Sequence, residues 1–239
     1  MSPMTRDIYL AFFLSVSIFG IAVAILSALY PPSFSGENAL RKPLLGLLLG
    51  LVCVLGMTAT VSPKSCSQIF GSRKNLKAAD DTRKKQVPSF QGHHPSCGNF
   101  SDHTFKIGDK TICAGCLGFF IGGLVNLVGA FFYFFAGLQL GELALSATWV
   151  GAAGVLLGLL LPLFSLPRAV GRAAVNAFFA VGVFLVIIGV DSVAQDLNTG
   201  LLLILLAIFW IFTRISISRW SHGKICQRCQ SVNCKLRGF

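Results

Sequence analysis

The sequence predicts an all-α integral membrane protein of about six transmembrane helices, with a small Cys/His-rich knob on its cytoplasmic face. Three observations predict it. Apolar residues make up 54% of the 239-residue chain and charged ones only 12%, against about 25% charged in soluble domains. The apolar residues form long blocks rather than an amphipathic pattern. The positive residues sort to one side once those blocks are threaded alternately through a bilayer.

The blocks follow in order. Residues 8–30 run 23 positions without a charge. That exceeds the roughly 7–15-residue core of a cleavable signal, and no small-x-small site precedes Pro31-Pro32, so a retained helix is expected. Residues 44–61 form a second block of 18, near the short limit for the about 20 residues a spanning helix needs. Residues 1–62 thus hold helices one and two. Residues 63–92, with "RKNLKAADDTRKKQ", are polar and basic, and read as a cytoplasmic linker lying near the headgroups. Residues 93–116 hold a Cys/His-rich juxtamembrane motif together with Phe100, Phe105 and Ile107. Residues 117–217 carry helices three to six, in blocks 117–140, 147–166, 173–190 and 200–213. The last block reaches about Ile217 if Arg214 snorkels to the interface. The second, fifth and sixth blocks are short, so five spans is the alternative count. Residues 218–239 are a Cys-rich cytoplasmic tail.

Charge orients this topology. With the N-terminus inside, the inside segments hold Arg6, nine basic residues from Lys64 to Lys110, Arg168 and Arg172, and six from Arg214 to Arg237. The outside loops hold only Arg41 and Lys42 of the 20 basic residues, beside Glu37, Glu142, Asp191 and Asp196. Both termini and the long loop are therefore placed in the cytoplasm, under a multi-pass cell membrane. The same sorting accounts for the net charge of +11. Attraction to anionic lipid headgroups explains a basic membrane face more simply than nucleic acid, which would need a basic folded domain with aromatic platforms.

Eight cysteines remain to be placed. Cys53 lies within the second block as a packed apolar residue, and Cys66 stands alone. The other six form two groups: Cys97, Cys113 and Cys116, then Cys226, Cys229 and Cys234. Two Cys-x-x-Cys turns, Cys113/Cys116 and Cys226/Cys229, are expected at one membrane face. Such a turn aims two sulfurs at one point, and two turns supply the four thiolates of a tetrahedral zinc. The reducing cytosol disfavours a disulfide reading. Three arrangements compete. One zinc is shared by Cys113, Cys116, Cys226 and Cys229. Or two local sites form, from His94, Cys97, Cys113 and Cys116 and from His222, Cys226, Cys229 and Cys234. Or the cysteines hold an iron–sulfur cluster, although the Cys-x2-Cys-x2-Cys run of ferredoxins is absent. Zn2+ is the expected metal. A Cys-x-x-Cys redox pair is a further reading, since Cys113 opens a helix whose N-terminus would favour its thiolate.

The stretch "HHPSCGNFSDHTFKIGDKTICAGCLGFFIGG" resembles the central motif of the prokaryotic membrane proteins grouped as domain of unknown function 2085. That motif runs Cys-His, an Arg-Ser-Phe-like step, a Gly-containing turn, then Cys-x-Arg-Cys-x-Gly-aromatic-x-Gly opening a helix. Cys97, Phe105, Gly108, Cys113, Cys116, Gly118, Phe120 and Gly122 fit it. Gly115 stands where the family usually has Arg, and His103 where it often has another Arg. The step from Cys97 to Cys113 is also shorter. The resemblance covers about residues 93–123. It implies a small multi-span protein with a juxtamembrane cysteine motif, and it brings no activity with it.

Within the blocks, Asn126 and Asn176 are the polar exceptions, and interhelical hydrogen bonding is their expected role. Gly46/Gly50, Gly118/Gly122 and Gly154/Gly158 each place two glycines on one helix face, marking close helix packing within the chain or in a homo-oligomer. Phosphate-binding loops, nucleophile elbows and His-Glu-x-x-His are absent. His93, His94, Asp102, His103 and Asp109 read as a solvated loop. A closed four-ligand zinc is structural rather than catalytic. The expectation is a structural or regulatory docking element for a protein partner. A transporter with a metal staple and a thiol or cluster oxidoreductase are the alternatives.

Overall fold

The computed structural model describes residues 3–32, 39–61, 90–91, 94–95, 98–107, 110–164 and 168–227. Six of its helices are long and apolar enough to cross a membrane, which makes the architecture multi-pass and all-α in its spans. They are α1 Pro3–Leu29, α2 Arg41–Val61, α3 Ala114–Ala130, α4 Leu143–Leu160, α5 Ala169–Ala194 and α6 Leu197–Gln227.

Helix ends follow local chemistry. Pro31 and Pro32 stop α1, because Pro offers no N–H and restricts the residue before it. α3 passes into a π-turn at Phe131–Phe135, where Ala136 N–H reaches back to the Phe131 carbonyl. Gly137 (φ +77°) and Gly141 (φ +52°) then make the turn into α4. Asp196 caps α6, accepting from Thr199 N–H at 2.8 Å and from Thr199 Oγ1 at 2.9 Å.

The observed spans differ from the apolar blocks at their edges. α3 starts at Ala114, directly after Cys113, rather than at 117. α6 has 31 residues, about 46 Å at 1.5 Å per residue, against about 30 Å of hydrocarbon. It therefore continues well past Ile217 and carries His222 and Cys226 on the same helix.

α5 is the hub: 61% of its apolar window is buried inside the bundle, against 22–44% for the other five. It packs along α4 and α3. Those contacts are backbone-close. A Cβ on Gly118 would collide with the Ala173 carbonyl. One on Gly122 would lie 2.6 Å from Ala180 Cβ, one on Gly154 3.1 Å from Phe178 O, and one on Gly158 2.5 Å from Phe179 Cβ. These four glycines, expected to mark close packing, do so within the chain. α2 packs on α3, and α1 on α6. The α1–α6 seam holds a buried hydrogen bond from Ser17 Oγ to Thr213 Oγ1 at 3.0 Å, and one from Trp210 Nε1 to the Ser17 carbonyl at 3.1 Å. Asn126 on α3 donates to the Ala180 carbonyl of α5 at 2.8 Å, the interhelical role expected of it.

Two short hairpins lie before α3. β1 Phe90–Gln91 pairs with β2 His94–Pro95, and β3 Thr104–Ile107 with β4 Lys110–Cys113, both antiparallel.

Candidate functional site

The β3–β4 hairpin delivers the cysteines to the bundle. Thr104, Ile107, Thr111 and Ile112 are β-branched and suit a short ladder. Its register sets Thr104 opposite Cys113, which is extended (φ −67°, ψ 125°) and stands just ahead of α3. Cys113 is buried and Cys116 half-buried. Three residues apart at the start of one helix, they share a face.

A 3-10 turn at Gly98–His103 leads into the hairpin and rests on α5. Its Phe100 and His103 are 3% and 6% exposed. The three-residue period of that helix stacks positions 100 and 103 on one side. There they meet His222 of α6. Ring centroids are 5.5 Å apart for Phe100–His103, 5.6 Å for Phe100–His222 and 5.4 Å for His103–His222, all edge-to-face. His103 thus lies in a packed aromatic cluster, where the sequence suggested a solvated loop. Its ring packs there against Phe100 of its own turn and His222 of α6.

Two arginines close the site. Arg172, in the first turn of α5, interacts through space with Asp102 and Cys113. Arg214 of α6 interacts with Cys113 and Arg172. Arg214 is 7% exposed and so is packed inside rather than snorkelling to the surface. Gly115 sits between the two cysteines and faces α5: a Cβ there would be 3.0 Å from Asn176 Nδ2 and 3.8 Å from Cys113 Sγ.

Of the sequence-predicted ligands, Cys113, Cys116, His222 and Cys226 are described. Cys226 lies one turn beyond His222 on the same face of α6. Cys97, Cys229 and Cys234 lie outside the described residues, as does the side chain of His94, whose backbone pairs with Gln91. Among the described residues, no three His, Cys, Asp or Glu side chains stand together as a metal cage.

The opposite end of the bundle holds a second polar centre. Asp191 closes α5 with its side chain fully buried. Arg41, in the first turn of α2, pairs with its Oδ1, and Tyr133 of the π-turn donates to Oδ2 at 2.9 Å. The Lys42 ammonium stands 5.1 Å from the Tyr133 ring centroid. These groups line an open cavity of about 330 Å³, with Gln139, Ser192 and Gln195 at its edge. The sequence reading treated Asp191 only as a loop acid. The available signal was charge: alternate threading of the apolar blocks sets the two cations Arg41 and Lys42 on the same face as Asp191.

Comparisons with family models, with curated proteins and with solved structures give no match.

Proposed function

We propose that the chain is a multi-pass membrane protein whose cytoplasmic end is stapled by one thiolate-bound zinc ion and serves as a docking element. The observation that carries the reading is the His103–Phe100–His222 ring cluster, which joins the cysteine hairpin to the far end of α6. Cys113 ends that hairpin, Cys116 follows in the first turn of α3, and Cys226 lies one helical turn past His222. This juxtaposition favours a shared site over two local ones. Cys113 and Cys116 would supply one thiol pair, and Cys226 with Cys229 the other. Four thiolates around Zn2+ carry a net charge of −2, which needs nearby cations in a half-buried place. Arg172 and Arg214 meet that need at Cys113.

Such an ion leaves no open coordination position and holds structure rather than performing hydrolysis. Arg168, Lys106, Arg219 and Lys224 are exposed and basic toward the same end. They suit the cytoplasmic side of a membrane and an acidic or anionic partner surface. The resemblance of residues 93–123 to a juxtamembrane cysteine motif supports the same placement.

The test is metal content of the purified full chain by plasma mass spectrometry. One zinc per chain is expected, lost in Cys113→Ser and in Cys226→Ser alike. Two zinc ions per chain would support the local sites. Iron with visible absorbance would replace zinc by a cluster. A folded wild-type chain free of any metal overturns the staple.

A further inference from the structure

We propose that the Asp191 end of the bundle is a specific binding site for an anionic phospholipid, with the headgroup phosphate in the polar cavity and one acyl chain in the groove below it. Two independent observations meet on the same two elements.

The first is charge. The cavity holds Arg41, Lys42 and Asp191, so two cations face one carboxylate. Asp191 is already satisfied by Arg41 and by the Tyr133 hydroxyl. Lys42 forms no ion pair among the described residues, and its ammonium lies over the Tyr133 ring. Among the described lining residues the site therefore presents one more cation than carboxylate, backed by a guanidinium with further donors. A single phosphate diester matches it. About 330 Å³ falls at the small end of ligand cavities.

The second is shape. An apolar groove of about 260 Å³ opens between α2 and the end of α3, lined by Gly46, Gly50, Leu127, Phe131 and Phe135 among others. Lys42, Gly46 and Gly50 follow one another at four-residue steps, so they descend one face of α2. Phe131 and Phe135 flank Tyr133 in the π-turn. Polar cavity and apolar groove thus share α2 and the π-turn, in the order in which a lipid presents its phosphate and its chain. A free anion would use the first and leave the second without purpose.

The experiment is native mass spectrometry of the full chain released from nanodiscs containing phosphatidylglycerol and phosphatidylcholine, with inorganic phosphate titrated separately. Preferential retention of phosphatidylglycerol is expected. Lys42→Ala should weaken it about fivefold, the factor carried by one cation at a lipid surface, and Lys42→Arg should restore it. Gly50→Leu should block the chain: its Cβ meets nothing nearer than Leu127 Cδ1 at 3.9 Å, so the bundle can accept the change. Equal retention of both lipids, or retention unmoved by Lys42→Ala and Gly50→Leu, overturns the proposal. So does inorganic phosphate binding that Lys42→Ala abolishes while lipid retention stays unchanged, because the occupant is then a free anion. The site lies at the opposite end from the cysteines, so this outcome is independent of the zinc measurement.

Discussion

Removing Arg41 tests whether the Asp191 centre holds the bundle together. The carboxylate is 0% exposed and its Arg41 partner 12% exposed. After Arg41→Ala, the Asp191 charge keeps, among the described side chains, the Tyr133 hydroxyl at 2.9 Å. Breaking one partner of a buried pair costs about 3–5 kcal/mol. The open cavity beside it admits water, which places the expected loss near the lower bound, about 3 kcal/mol. Asp191→Asn leaves Arg41 able to turn toward the cavity, and should cost about 1–2 kcal/mol. The double variant removes both charges. It should be less destabilised than the sum of the singles by about 2 kcal/mol, the sign of direct coupling. Tyr133→Phe should cost only about 1 kcal/mol, because Arg41 still satisfies the carboxylate. The assay is equilibrium unfolding of the full chain in mixed micelles, followed by circular dichroism. Single variants that each cost under about 1 kcal/mol and add without coupling would refute the account.

Further outcomes follow from contacts elsewhere. Gly118→Ala drives a methyl into the Ala173 backbone carbonyl and should cost about 1–3 kcal/mol in the same unfolding assay. Gly50→Ala, with 3.9 Å of clearance, should stay within about 0.5 kcal/mol of wild type. Trp210→Phe loses the 3.1 Å bond to the Ser17 carbonyl and opens a void at the α1–α6 seam, so a loss of about 2 kcal/mol is expected. His222→Ala removes two ring contacts. Amide exchange across residues 98–113 should then speed up about tenfold, as two aromatic contacts of about 0.7 kcal/mol each imply, while α1 and α2 remain unchanged.

Much of the fold was legible because hydrophobic blocks of membrane length have few other meanings. Gly118/Gly122 and Gly154/Gly158 were legible too, since a small residue every fourth position marks a face without saying which neighbour it meets; Gly50 of the third pair instead has open space up to Leu127 Cδ1 at 3.9 Å. What stayed hidden was partnership. Nothing near Asp191 in sequence points to Arg41, 150 residues away, and a lone acid after an apolar block reads as a loop. His103 was hidden for a similar reason. Its burial comes from Phe100 three residues earlier and from His222, which becomes available only because α6 runs past its apolar segment to Gln227. Hydropathy marks where lipid ends, not where a helix ends, so block edges located the hydrocarbon and missed the helical continuation that matters for the cysteines.

The two polar centres are joined by the same pair of helices. α3 starts at the cysteine hairpin and ends in the π-turn that carries Tyr133. α5, Ala169–Ala194, carries Arg172 in its first turn and Asp191 in its last. Between them, Gly118 and Gly122 set the backbones of α3 and α5 against each other, and Asn126 fixes their register through the Ala180 carbonyl. A pair packed this closely has little freedom to slide, since any shift of α3 along α5 must lift a glycine off a carbonyl. At the far end of α3 the regular helix gives way to the π-turn, closed by the i to i+5 bond at Ala136. Tyr133 sits in that turn with its hydroxyl on Asp191, so the carboxylate clamp joins the far ends of the same two helices that the glycines hold together.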